Sequence, residues 1–209
     1  MFREVMRKVC HELGHEIVGE AGEGRQAVEL TLKTDPELVL LDLHLPNLDG
    51  FAVVEALQEV RPQVRILVLS SHCDDYSVFR AERAHVHGFV DKNTSTVTSL
   101  KSAIAAVEAG RSYFSPAFRR IKAARHSDPN SFDKLLTDRE KAVLALIGEP
   151  LTDREIAIRL GIANETAEKH RFNILRKLAL PTTAALMRYA HQRGFTLAVR
   201  HGDTDAMLP

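Results

Sequence analysis

The 209-residue chain is 44% hydrophobic and 27% charged with a formal net charge of zero, an ordinary water-soluble composition with room for one large or two small domains. No apolar run approaches the ~20 residues of a membrane span, and residues 1–8 lack the apolar core of a secretory signal. Two cysteines, Cys10 and Cys73, lie in different predicted elements and point to reduced thiols in a cytoplasmic protein, not to a disulfide or a zinc site.

Charge is unevenly distributed. Residues 1–115 carry 12 Lys and Arg against 17 Asp and Glu, a net −5, and residues 116–209 carry 16 against 11, a net +5. Polarised halves predict two domains, the basic one facing an acidic partner.

In chain order, residues 2–13 read as an amphipathic helix with Val5, Met6, Val9, Cys10 and Leu13 on one face and Gly14 as its stop. A short strand is predicted over 15–21 and a helix over 24–34. Leu38–Leu41 is apolar at every position, as expected of a strand buried on both faces of a parallel sheet, and it delivers Asp42 to its end before Pro46 and Gly50 break the run. Asp49 is placed to cap a helix through Val60. A second buried strand covers 65–70, a more polar helix 74–87, a short strand 88–92 and a helix 94–110.

This alternation assigns residues 1–115 to a doubly wound, flavodoxin-like parallel sheet with helices on both faces. In such sheets reactive groups sit just beyond the carboxyl ends of the strands, where Asp42 falls. An isolated Asp there is often only a turn former. Domains of this kind begin with a strand, whereas this chain begins with a helix, so the expected sheet lacks its first strand. Either the natural chain starts upstream or something else fills that slot.

Residues 116–132 read as a basic, then turn-rich linker. Residues 133–198 read as all-helical and 199–209 as a flexible tail. The tetrapeptide Thr-Asp-Arg-Glu occurs at 137–140 and again at 152–155, each fitting a capping box and each opening an apolar-periodic run. Gly161 stops the second of these helices, and Asn164 is expected to cap a third, from Glu165 to about Ala179. Helix, tight Gly-containing turn and helix make the helix-turn-helix pattern. In the third helix Ala167, Ile174, Leu175 and Leu178 are expected to face inward, while Glu165, Glu168, Lys169, Phe172 and Arg176 face outward with Arg171 and Lys177 flanking. Residues 168–177 hold four Lys or Arg against one Glu, which suits a helix that reaches base edges and phosphates. A fourth helix is predicted over 183–193. His85 and His87 are expected to be surface histidines, since no third metal ligand lies beside them.

Leu136-Thr-Asp-Arg-Glu140, Leu151 to Ile162 and Thr166 to Leu178 closely resemble the LuxR-type helix-turn-helix domain, and residues 1–115 resemble the receiver domain of two-component systems. The chain thus resembles a NarL/FixJ-family response regulator over nearly its whole length. The resemblance implies that Asp42 accepts a phosphoryl group from a sensor histidine kinase, supported by Ser70 and Lys92, with Phe89 as the switch aromatic. It implies Mg²⁺ as cofactor, held by Asp42 and the backbone carbonyl of His44; the acidic pair that the family carries at the end of its first strand has no counterpart here, so half the metal site is missing. On that ground weak Mg²⁺ binding and poor phosphorylation are expected. It implies double-stranded DNA contacts from Thr152, Asn164, Thr166, Glu168, Lys169, Arg171, Phe172, Arg176 and Lys177, a homodimer through helix 183–193, RNA polymerase as a further partner, no membrane and no enzymatic activity. A second reading is a phosphorylation-independent DNA-binding regulator whose incomplete receiver serves only for dimerisation.

Overall fold

The computed structural model describes residues 2–45, 48–149 and 151–195, with the side chains of residues 2 and 48 outside the description. The tail expected at 199–209 lies outside the described residues. The described residues divide into two compact units, residues up to Cys73 with Arg80–Arg120, and Asp74–Phe79 with residues 121–195.

The first unit opens with α1 (Phe2–Glu12) and α2 (Gly24–Thr34). They are followed by β1 (Leu38–Asp42), the two-residue pair β2 (His44–Leu45) and β3 (Leu48–Asp49), and α3 (Gly50–Val60). Then come β4 (Arg65–Ser70), α4 (Asp75–Arg83), β5 (Gly88–Asp91), α5 (Val97–Glu108) and β6 (Tyr113–Phe114). β1, β4, β5 and β6 form one sheet in that order, all parallel. Met6 and Val9 of α1 and Leu100, Ala103, Ile104 and Val107 of α5 pack on Leu67, Leu69 and Val90. By strand alternation Ile66, Val68 and Phe89 point to the opposite face, and they too are buried. Both faces are therefore covered, which is why Leu38–Leu41 of β1 and Ile66–Leu69 of β4 are apolar at every position. Cutting Ile66 or Leu67 back to Ala would cost about 2–5 kcal/mol.

Five expectations are corrected, four of them in residues 15–127. Residues 15–21 form no strand. In the strand order expected here, their neighbour would be the first strand. Facing them across a cleft is β1, the edge of the sheet, and the cleft encloses about 900 Å³ lined by Met6, Cys10, His15–Glu23 and Leu38–Asp42. Without a hydrogen-bonding neighbour an extended segment is no strand. It is instead pinned by its side chains, Glu20 to Arg7 and His15 Nδ1 to Glu108 at 3.1 Å.

The helix expected over 74–87 ends at Arg83. His85 takes a left-handed φ of 48°, turning the chain so that the His87 N–H donates to the Ile66 carbonyl (3.0 Å) and the Ile66 N–H to His87 Nδ1 (3.2 Å). α5 starts at Val97, not 94, because Thr94 donates its hydroxyl to Asp91 (2.8 Å) and Thr96 is the cap. Residues 116–127, expected as linker, are helix α6 (Pro116–Ser127). The Ser115 hydroxyl accepts from the Phe118 N–H at 3.4 Å, and Pro116 sits at the first helical position, where its missing N–H costs nothing.

The second unit contains α7 (Phe132–Leu135), α8 (Asp138–Ile147), α9 (Asp153–Leu160), α10 (Asn164–Lys177) and α11 (Thr183–Gln192). Both Thr-Asp-Arg-Glu stretches form complete capping boxes. Gly161, at φ 61°, closes α9 in the left-handed conformation that glycine adopts without strain. Val143, Leu144, Ile147, Ile156, Ala157, Ala167, Ile174 and Leu186 form the core, with Tyr76 and Phe79 packed on it. Asn164 is not the cap of α10: Ala163 occupies that position, and the Asn164 amide donates to Glu168 Oε1 at 2.7 Å.

Candidate functional site

Asp42, Ser70 and Asp91 end three adjacent parallel strands. Asp42 pairs in register with Leu69, and Ser70 with Asp91, so Lys92 emerges one residue beyond the same rim. The chain doubles back beneath this rim: a Cβ on Gly50 would lie 2.5 Å from the Leu43 Cα, so glycine is required there. Asp49 caps α3 by accepting from the Phe51 N–H (3.2 Å) and meets Arg80 at 2.5 Å.

The Asp42 carboxylate is about one-third exposed. One oxygen accepts from the His44 N–H at 3.0 Å, and the other lies 2.5 Å from Lys92 Nζ. Burial raises the carboxyl pKa, but the hydrogen bonds from His44 and Lys92 and the lysine charge outweigh it and hold the group at about 2. Asp42 is thus an ionised, partly exposed carboxylate with a cation fixed beside it.

Ser70 is fully buried, and its hydroxyl is turned onto its own loop, donating to the His72 carbonyl and accepting from the His72 N–H, both at 3.0 Å. Phe89 is also fully buried, with its ring centroid 5.1 Å from that of Phe118. Phe118 of α6 packs against the Phe89 ring on this inner side. The His72 ring lies 4.3 Å from that of His44, beside the acid, a neighbour that sequence spacing did not signal.

Among the described residues no three His, Cys, Asp or Glu side chains converge to hold a metal ion. Mg²⁺ takes six oxygens in octahedral geometry. Asp42 is held by His44 and Lys92, and Asp91, the acid that ends β5, is engaged with Asn93 and Thr94. The described residues do not form a ready-made Mg²⁺ site.

On α10, Glu165, Thr166, Glu168, Lys169, Phe172 and Arg176 are exposed, while Ala167 and Ile174 face the core. Several expected contact residues are engaged within the unit. Arg171 pairs with Asp153, and Lys177 Nζ lies 2.7 Å from the buried Glu140. The Thr152 hydroxyl closes its capping box on Glu155, and Asn164 holds Glu168. Burial raises the Glu140 carboxyl pKa, but Lys177 and the Thr137 N–H and hydroxyl outweigh it and leave the group below its ordinary value. Lys169 and Arg176 are the exposed cations of the outward face.

Residues 1–105 match the response regulator receiver domain, and residues 134–190 match the bacterial regulatory proteins of the luxR family. The chain is 35% identical over 199 residues to the transcriptional regulatory protein MctR of Rhizobium johnstonii, covering 93% of this chain and 90% of that one. It is 30% identical over 177 residues to the response regulator protein VraR of Staphylococcus aureus, covering 85% and 84%. In fold it is similar to RcsB of Salmonella enterica serovar Typhimurium bound to promoter DNA in the presence of the phosphomimetic BeF3−, with a TM-score of 0.63 at 21% identity over 90% of this chain and 91% of that one. It is likewise similar to the two-component response regulator RcsB in complex with DNA, with a TM-score of 0.60 at 23% identity over 90% and 91%. The chain belongs to the response regulators that join a receiver domain to a LuxR-type DNA-binding domain. No helix among the described residues is long and apolar enough to cross a membrane.

Proposed function

We propose that this chain is a cytoplasmic transcription regulator whose DNA binding is set by phosphorylation of Asp42. The observation that carries this reading is the ionised Asp42 held 2.5 Å from Lys92 at the carboxyl rim of a parallel sheet. In the transfer, an Asp42 oxygen attacks the phosphorus of a phosphohistidine on a sensor kinase. The new O–P bond forms as the P–N bond breaks, and the leaving imidazole takes up a proton. Lys92 neutralises charge on the phosphoryl oxygens, and Ser70 donates to one of them after releasing His72. Asp42 is consumed in this step and is not a catalyst, so the chain is not itself an enzyme. Receiver domains generally use Mg²⁺ for phosphorylation.

The proposed domains are residues 1–115 and 133–198, joined by 116–132. α10 enters the major groove, α11 forms the contact of a homodimer, and the bound dimer acts on RNA polymerase. The test is intact-mass measurement after incubation with acetyl phosphate and MgCl2: slow, partial uptake of one phosphoryl group is expected on the natural chain, in keeping with its incomplete metal site, and none on Asp42→Asn. Equal incorporation by both would rule Asp42 out.

The lack of three convergent metal-binding side chains among the described residues favours a second reading. In it the chain binds DNA without phosphorylation, and its receiver serves as a dimerisation module. Unchanged DNA affinity in Asp42→Asn, with or without acetyl phosphate, supports this one.

A further inference from the structure

We infer that Phe172 reads the C5-methyl group of a thymine in the major groove, so that the DNA site of this protein carries an A·T pair beneath that ring. The inference rests on the proposal that α10 is the helix that enters the groove.

Phe172 is 65% exposed, although the other apolar side chains of α10, Ala167 and Ile174 among them, face the core. At that exposure the ring adds little to the packing of the unit. It lies three residues after Lys169 and four before Arg176, so the three share one face of the helix with the ring between two exposed cations. The neighbouring charges are turned elsewhere: Arg171 to Asp153, Lys177 to Glu140, and Glu168 to the Asn164 amide. The face thus offers two long cations for phosphates and a bare phenyl ring for whatever lies between them.

The floor of the major groove is almost wholly made of hydrogen-bonding groups. A phenyl ring laid on a cytosine amino group or a guanine carbonyl strips its water and returns no hydrogen bond. The exception is the thymine methyl, which is apolar and stands out from the base edge. Phe172 therefore favours thymine by contact and disfavours guanine and cytosine by desolvation, and one ring supplies both the attraction and the rejection.

The test uses the full chain, with and without acetyl phosphate, on a duplex enriched from a random 20-base-pair pool. In that duplex each thymine is replaced singly by deoxyuridine, which removes only the methyl, and affinity is read by fluorescence anisotropy. At one thymine per half-site a loss of about 3- to 10-fold is expected in the natural protein. No loss is expected there in Phe172→Ala, whose substitution lies on the surface and leaves the core untouched. Deoxyuridine tolerated at every position, or a loss that persists in Phe172→Ala, overturns the inference alone, because a salt slope reduced in Lys169→Ala still supports α10 as the DNA-contacting helix. Failure of the chain to bind any duplex overturns both.

Discussion

Lys92 Nζ lies 2.5 Å from Asp42 Oδ2, across the carboxyl ends of two strands separated by β4 in the sheet. Together with the hydrogen bonds from His44, the lysine holds the acid in its ionised form. Replacing Lys92 by Ala is expected to raise the Asp42 pKa from about 2 towards its ordinary value near 3.9 and to slow phosphoryl uptake. Carboxylate titration by NMR and a time course of intact mass check the two effects.

The same depressed pKa fixes a pH dependence. Asp42 binds its proton more weakly in the folded chain, so its contribution to stability is present above about pH 4 and is lost as pH falls towards about 2. With the side chain about one-third exposed, the contribution is about 1 kcal/mol after allowance for solvent screening. Urea unfolding of the natural chain and Asp42→Asn from pH 2 to 7 is expected to show a difference that closes in that window.

Glu140 is almost fully buried, and Lys177 is its ammonium partner. Lys177→Ala is expected to lower the stability of the second unit by about 1–3 kcal/mol, since a buried carboxylate loses its counter-charge. At full folding its DNA affinity should follow salt with the natural slope. A changed slope with unchanged unfolding would return Lys177 to the DNA face.

Lys169 and Arg171 are separated by a single residue but face different tasks. Lys169 is exposed, whereas Arg171 is paired with Asp153 of α9. Lys169→Ala is expected to reduce the slope of log affinity against log salt by about one unit. Arg171→Ala is expected to leave the slope unchanged and to lower the midpoint of thermal unfolding.

The edge of β1 has its own signature. Alternate amides of residues 38–42 point away from β4, towards the cleft that faces residues 15–21. Hydrogen exchange is expected to be slow at the amides directed to β4 and fast at the alternate ones and throughout 15–21. Uniform protection across 38–42 would mean that the edge is already paired.

Much of this was readable in the residues. Asp42 stood out because a run apolar at every position has one meaning in an α/β chain, and the acid follows it directly. The DNA-binding unit was legible because a capping box is a local device: hydroxyl, carboxylate and backbone meet within four residues, so the pattern is complete in the sequence. Arg171 with Asp153 and Lys177 with Glu140 were not legible, because these partners lie 18 and 37 residues apart and nothing local marks them. The orientation of the Ser70 hydroxyl was hidden for a similar reason, since it depends on the course of the loop through His72. β6 is two residues long, too short for any periodicity, and its pairing comes from β5. Residues 15–21 have the composition of a strand, but a strand exists only with a neighbour.

The most direct measurement is the affinity of the full chain for its enriched duplex, by anisotropy at fixed salt, before and after treatment with acetyl phosphate and MgCl2, with the mass of each sample taken in parallel. Control by Asp42 requires that the natural chain gain one phosphoryl group and bind more tightly, and that Asp42→Asn gain neither mass nor affinity. Equal affinity in all samples, or a gain in Asp42→Asn, would contradict it.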